Sequence, residues 1–502
     1  MYYIKRNNMK IRYSDIKKII VDFSQYYQAA SELWKASICY FLCSFLQKGI
    51  SVLTTPIFTR LLTTEEYGEY VLFTSWADVL GIFITFGLAT SVYQKKLVEI
   101  AEEKERDTFT SSLIGLMITL AVISFILYYI FHNPLNRWLN LSTDRIIAIY
   151  ISSVVSAGFG FWAMRQRVDY RYKKLIMLTL FITFCKPIAG IVCIYLFPEY
   201  KVLAKIYSLV VVEVIGYIGL LAFQIRKGKI VYCKKYWKYA LAYVIPLIPH
   251  YLSQRVLSQS DRIMISHLSG PDAAGIYGLA NSAGMILNLL LAPSDSTIAP
   301  WIYKKIHDRN YKRIYQFSIY PILIMALICL IFISVAPELI RFFAPESYYE
   351  GSYLIPPFAI STYFMLIYCF FIYFEYYYEK TVYVMIATVS SALLNIILNY
   401  IFIKYVGYEA AAYTSLFCYI ACAFFHYLVM KKICRENGIC EPVYNTKIIV
   451  AVSVLLMGSG IAITAFYNYI LLRYFIIFSI ATGIVIFRKK IYVVIKDCIE
   501  KN

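Results

Sequence analysis

The residues with chemistry to offer are few, and most are cations set inside long apolar runs. Lys48 sits in a run near 36–59, where Ser44, Lys48, Ser51, Thr55 and Thr59 recur at spacings of four and three. That rhythm puts them on one face of a helix. Tyr251, Arg255, Ser258 and Arg262 keep the same rhythm in and just beyond a run near 239–261. An ionised side chain at mid-membrane costs about 2.5–3.5 kcal/mol, so it is expected to face a cavity or a partner. The blander alternatives are a buried ion pair or, for Arg262 near a span end, snorkelling to the interface.

Other polar groups follow similar patterns. Lys186 precedes Pro187 deep in its run, and Lys205 and Glu213 share a run at i, i+8, which lets them face the same side. Asp78, Glu213 and Asp295 are the deep acids, and Asp261 stands beside Arg262. Each either pairs with a cavity base or couples a proton or cation. Asn281, Asn288 and Asp295 step by seven, and Ser391, Asn395 and Asn399 by four. These asparagines suit interhelical hydrogen bonding and are counted with Lys48, Lys186, Lys205, Arg255 and Arg262 as candidate substrate contacts. Pro246 and Pro249 should bend or loosen their helix. A Walker loop, a dinucleotide fingerprint and an HExxH motif are all lacking, and the twelve cysteines lack zinc spacing. No cofactor or metal is expected, and no catalytic residue.

The elements that must position these residues follow from composition. Of 502 residues, 60% are apolar and 16% charged, with mean hydropathy +0.62. That exceeds what a globular core of this length hides, and it suffices for roughly fourteen membrane helices of ~20 residues. Disorder, a coiled coil and a soluble enzyme are excluded. Spanning runs fall near 36–59, 68–93, 109–131, 146–164, 175–196, 203–224, 239–261, 275–299, 314–335, 352–374, 382–403, 406–430, 448–467 and 474–487. All are expected to be helices, since only helices and closed barrels satisfy their backbone in lipid. The net charge of +19 then reads as loop bias rather than nucleic-acid binding. Of the 49 Lys and Arg, 37 fall in alternate connections beginning with the N-terminal arm, eight in the others and four inside runs. Such asymmetry predicts an even number of spans with both termini cytoplasmic.

A repeat lies beneath the runs. A shift of 207 residues pairs Gln47 with Gln254, Ser51 with Ser258, Gly68 with Gly275, Tyr70 with Tyr277 and Leu80 with Leu287, without a gap. It also places Lys48 on Arg255 and Thr55 on Arg262. A six-helix repeat keeps its orientation, and parallel halves with a path between them are a transporter architecture. The expected organisation is an arm (1–35), an N-lobe (36–224), a basic inter-lobe loop (225–238), a C-lobe (239–431), a loop (432–447), a C-terminal helix pair (448–487) and a cytoplasmic tail (488–502).

Three marks carry a family resemblance: Pro56-Ile57-Phe58-Thr59-Arg60-Leu61-Leu62-Thr63 with Glu65-Glu66-Tyr67-Gly68-Glu69-Tyr70; Ser260-Asp261-Arg262 with Ala274-Gly275-Ile276-Tyr277; and Asn395 and Asn399 followed by Tyr405, Gly407 and Ala410-Ala411-Ala412. With them the chain resembles the polysaccharide transporter family, the Wzx-type flippases related to MATE exporters and to the lipid II flippase. The family usually has a second glycine before its alanines, where this chain has Glu409.

The resemblance implies fourteen helices in two six-helix lobes plus a pair, in the bacterial inner membrane. It implies an undecaprenyl-pyrophosphate-linked oligosaccharide substrate for O-antigen, capsule or exopolysaccharide, with polymerase machinery as a possible partner. Cavity bases fit that substrate independently, because a pyrophosphate crossing hydrocarbon needs charge compensation. The alternatives are a MATE-like proton- or sodium-coupled antiporter for drugs or organic cations, and a membrane enzyme. The excess of bases over deep acids disfavours the first, and the short outer connections disfavour the second.

Overall fold

The computed structural model describes residues 32–479 and 482, without the side chains of 32–34, 36–38, 91 and 292–297. The N-terminal arm, the tail and much of the 474–487 run lie outside the described residues, as does the side chain of Asp295. Among the described residues every regular element is a helix. In chain order the α-helices are α1 (Glu32–Leu61), α2 (Thr64–Thr85), α3 (Ser91–Glu99), α4 (Glu103–Ile130), α5 (His132–Leu139), α6 (Thr143–Val168), α7 (Tyr172–Leu196), α8 (Lys201–Gly228), α9 (Lys234–Val244) and α10 (Ile248–Leu268). They continue as α11 (Pro271–Gly284), α12 (Leu291–His307), α13 (Tyr311–Phe317), α14 (Ile319–Ser334), α15 (Ala336–Phe343), α16 (Ile355–Tyr377), α17 (Thr381–Val406), α18 (Ala410–Glu436) and α19 (Thr446–Ala465). A shorter apolar helix, Ile470–Ser479, closes the described chain.

Among the described residues, eleven helical segments are long and apolar enough to cross a membrane. The second and seventh expected spans, α2 and α10, fall short because they carry the acids and bases. Glu65, Glu66, Glu69 and Asp78 lie in α2, and Arg255, Asp261 and Arg262 in α10. Both are interior helices, with α2 packed against α10 and α11. Charged residues of this number within a helix mark it as facing protein and cavity rather than lipid.

Local sequence explains where the helices start and break. Thr63 opens α2 with a capping box: its hydroxyl accepts from the Glu66 N–H at 3.1 Å, and the Glu66 carboxylate accepts from the Thr63 N–H at 2.8 Å. The same helix stops at Thr85, short of the expected 93, because Phe86 (φ 53°) and Gly87 (φ 61°) enter the left-handed region in succession. The seventh span is interrupted as its prolines predict. Pro246 and Pro249 withhold two N–H donors, and a 3-10 turn at Ile245–Leu247 separates α9 from α10.

The apolar core is divided. One cluster joins Phe58, Leu62, Tyr67 and Val71 to residues from Ile265 to Tyr467. Separate clusters hold the first half, including Trp76, Ile149 and Ile206 in one and Tyr93, Phe109 and Phe161 in another. Where α2 meets α11, a β-carbon at Gly68 would press on the Pro271 carbonyl, and one at Gly275 would press on the Thr64 carbonyl. Thr64 and Pro271 are themselves 207 residues apart. The crossing is therefore reciprocal, each glycine resting on the counterpart of the other's neighbour, as expected at an axis relating two like halves.

Candidate functional site

At that crossing the halves enclose a chamber of about 260 Å³, walled by α1, α2, α8, α10, α11 and the end of α15. Ser51 and Thr55 reach it from α1, on the face that the spacing predicted. Two cations open onto it. Lys205 of α8 is 5% exposed, and its Nζ lies 3.6 Å from the ring centre of Tyr70, 3.9 Å from Phe58 and 5.2 Å from Tyr67. Ring faces hold an ammonium without cancelling its charge. No carboxylate pairs with Lys205 among the described residues. Arg262 is the second cation. Its guanidinium donates to the side-chain carbonyl oxygens of Gln259 at 3.2 Å and Asn281 at 2.7 Å, and its buried Nε has no partner. Neutral acceptors fix its position and leave its charge uncompensated.

The same gap is covered at one end. Thr59 is fully buried and donates to the Phe343 carbonyl at 2.5 Å, while Arg60 donates to the Phe342 carbonyl at 3.1 Å. Thr64 donates to Asp272 at 2.5 Å, joining the first turns of α2 and α11. Phe343 of α15 thereby forms part of the chamber wall.

The remaining predicted residues separate into groups. Arg255 and Asp78 approach within 3.8 Å, both about half exposed, and Asp78 also accepts from Gln259 at 2.8 Å. Lys48 is exposed, one turn before Ser51 and outside the chamber's lining. Lys186 lies away from the chamber: it pairs with Glu213 at 2.6 Å, and Ser152 donates to the other Glu213 oxygen. The i, i+8 spacing suggested that Glu213 and Lys205 share a side, but Glu213 is held by α7 and α6 instead. Eight residues are more than two turns, so such neighbours are separated along the axis and cross-helix partners decide.

Asn395 and Asn399 do not reach the chamber either. Both are fully buried in a polar knot around Asp261. Asp261 accepts from Tyr277 at 2.6 Å, Asn399 at 2.6 Å and Ser415 at 2.7 Å. Asn395 accepts from Ser260 at 2.7 Å and donates to Ser415 at 3.0 Å. Asp261 is a buried acid with no cation paired to it among the described residues. It lines a smaller cavity of about 80 Å³, together with Asn281, Asn288, Ser361, Thr362 and Ser415. The amide of Asn281 also holds Arg262, so it stands between the two cavities.

Residues 33–306 match the family described as polysaccharide biosynthesis protein. The chain belongs to this family. Residues 246–401, overlapping the end of that match, also match the MatE family. An uncharacterized membrane protein of Methanocaldococcus jannaschii is 27% identical over 268 residues, covering 50% of the chain and 62% of that protein, so the chain spans less than two thirds of this relative. The Lsg locus putative protein 1 of Haemophilus influenzae is 21% identical over 353 residues, covering 66% of the chain and 81% of that protein. Among solved structures, the lipid II flippase MurJ in an inward closed conformation aligns at TM-score 0.64 and 15% identity, over 90% of the chain and all of MurJ. An inward-facing multidrug resistance MATE transporter aligns at TM-score 0.64 and 12% identity, over 78% of the chain and 96% of its own. At such identities the likeness is one of fold. This member of the polysaccharide biosynthesis family is thus a multi-pass membrane protein whose fold is shared with MurJ and the MATE transporter.

Two functional candidates escaped the sequence. Glu375 of α16 and His426 of α18 form a fully buried pair, with His426 Nδ1 2.7 Å from Glu375 Oε1. His426 stands alone in an apolar run, where a lone histidine reads as packing, and Glu375 lies just past the expected end of its span.

Proposed function

We propose that the chain flips an undecaprenyl-pyrophosphate-linked oligosaccharide repeat unit from the cytoplasmic to the outer leaflet of a bacterial inner membrane by alternating access. The observation that carries this is the pair of uncompensated cations, Lys205 and Arg262, facing one chamber between the halves. A pyrophosphate entering it gains two partners that have no carboxylate to give up. Hydroxyls of Ser51, Thr55 and Ser282 line the same space and suit the adjoining sugars. The polyprenyl tail stays in lipid. Lys48 and the Arg255–Asp78 pair lie along the approach and guide the head group inward. With both termini cytoplasmic, the Gly68–Gly275 crossing and α15 form a closed outer mouth. Rocking of two six-helix lobes, with fourteen helices in all, parts that crossing and presents the head group outside. Asp78 and Glu213 serve as pairing groups, and Asp261 holds Tyr277, Asn399 and Ser415 together beside the chamber.

The test is complementation of surface polysaccharide in a strain lacking its own flippase. Lys205→Met and Arg262→Gln should each abolish polysaccharide while protein levels hold. Normal polysaccharide in both variants would remove the chamber from the mechanism. The MATE-like alternative predicts instead that these variants change drug susceptibility, which the same strains report.

A further inference from the structure

We infer that Glu375 and His426 form a proton-binding site through which a proton gradient drives this transporter, an inference resting on the flippase reading above. Glu375 is 0% exposed and His426 2% exposed. One Glu375 oxygen meets His426, and the other is buried without any hydrogen-bond partner. An acid–base pair with a bare oxygen is a poor structural tie, since apolar residues of like volume hold helices as well or better. It is a good proton site. Imidazole titrates near neutrality, and one proton on the pair sets its charge at zero rather than minus one. Uptake forms one N–H or O–H bond, release breaks it, and water accepts or supplies the proton.

Among the described residues no second ion pair competes for Glu375 or His426. Cys422 lies one turn from His426 on α18, and the Tyr368 ring stacks on the imidazole at 5.8 Å. On the same inner part of α16, Tyr373 and Tyr377 lean on Tyr303 of α12, and His307 lies 3.5 Å from Tyr377. Glu375 is two residues, about 3 Å of helical rise, from the end of α16, so water at the membrane boundary is close. The readout is mechanical. The two helices that the pair joins, α16 and α18, also supply Ser361, Thr362 and Ser415 to the cavity that Asp261 lines. Removing the proton leaves an uncompensated carboxylate in their interface and favours their parting.

Two measurements decide it. In the purified full-length chain, infrared difference spectra between about pH 5 and pH 9 should show a titrating band in the wild type that is absent from Glu375→Gln and present in Asp261→Asn. In proteoliposomes, flipping of a fluorescent polyprenyl-diphosphate disaccharide should rise by up to about tenfold for each unit of pH gradient, outside acid. In His426→Gln that ratio should fall to about one, while transport without a gradient persists. A band that survives in Glu375→Gln, or an undiminished gradient ratio in His426→Gln, would overturn the site. If the wild type flips nothing, the flippase reading fails and the infrared result still judges the proton site.

Discussion

Gly68→Ala should open the closed mouth of the chamber. A methyl at this position would overlap the Pro271 carbonyl oxygen and lie 3.0 Å from the Gly275 nitrogen. Both obstacles are backbone, so no side chain can swing aside, and α2 must move from α11 by on the order of 1 Å. Overpacking of this kind costs about 1–3 kcal/mol. The cost falls only on the conformation in which the helices touch, so the equilibrium should shift by about 5–150-fold toward the state in which they are apart. Thr55 lines the chamber, and Thr55→Cys, with the native cysteines replaced, reports the shift. Labelling of intact cells with a membrane-impermeant maleimide should accelerate by that factor when Gly68→Ala is added. Gly81→Ala supplies the control, because its added carbon would meet only Ser153 Oγ at 3.7 Å. Unchanged labelling in a folded Gly68→Ala protein would refute the assignment of this crossing as the gate.

The cover on that mouth has an anchor of its own. Arg473 is 2% exposed and donates two hydrogen bonds to Glu338 of α15, at 2.6 and 2.7 Å, and one to the Ser334 carbonyl. Arg473→Leu leaves the part-exposed Glu338 unpaired and should destabilise by about 1–3 kcal/mol, read as a lowered thermal midpoint in detergent. Burial pushes the Glu338 carboxyl up, but the Arg473 hydrogen bonds and charge outweigh it and hold the group below its ordinary value. The unfolded chain binds that proton more readily, so the stabilisation is complete above about pH 4.3 and is lost as pH falls through the folded value. Arg473→Leu should flatten this acid limb of the midpoint-against-pH curve. Asp261→Ala strands three buried donors at about 1–3 kcal/mol each and should fail to accumulate. Asp261→Asn keeps an acceptor and should fold, yet flip at a reduced rate.

Much of the fold was legible because membrane helices announce themselves by length and hydropathy. The face of α1 carrying Ser51 and Thr55 followed from spacing alone, Lys205 was visible as a charge where hydrocarbon does not tolerate one, and Arg262 as the span-end counterpart of Thr55. The cage around Lys205 was not legible, because Phe58, Tyr67 and Tyr70 come from helices well over a hundred residues earlier, and aromatic residues are plentiful in every span. Pairings were also hidden. Periodicity reports which residues share a helix face but not which neighbouring helix that face meets. Glu213 therefore went to Lys186, and Asn395 and Asn399 went to Asp261 rather than to the chamber. Glu375 and His426 escaped for the same reason, each being unremarkable until α16 and α18 are laid together.

The residues that carry the family resemblance converge on one end of the molecule, and physics gives a reason. Thr63 and Glu66 cap α2, Gly68 and Gly275 let α2 and α11 touch backbone to backbone, Asp261 fixes α10 beside them, and Arg262 reaches into the chamber below. A gate must close tightly and part cheaply. Interdigitated side chains close tightly but forfeit many contacts on opening, since each buried leucine makes dozens. Two small faces, tied by Thr64 to Asp272 and by Thr59 and Arg60 to the Phe343 and Phe342 carbonyls, seal the gap through a few hydrogen bonds rather than many interlocked side chains. The apolar clusters deeper in each half are a different kind of contact, broad and aromatic, and on the flippase reading they stay packed while the gate moves. Substitutions that enlarge side chains at the crossing should therefore change the conformational equilibrium before they change stability, and equal-sized insertions into the core should do the reverse.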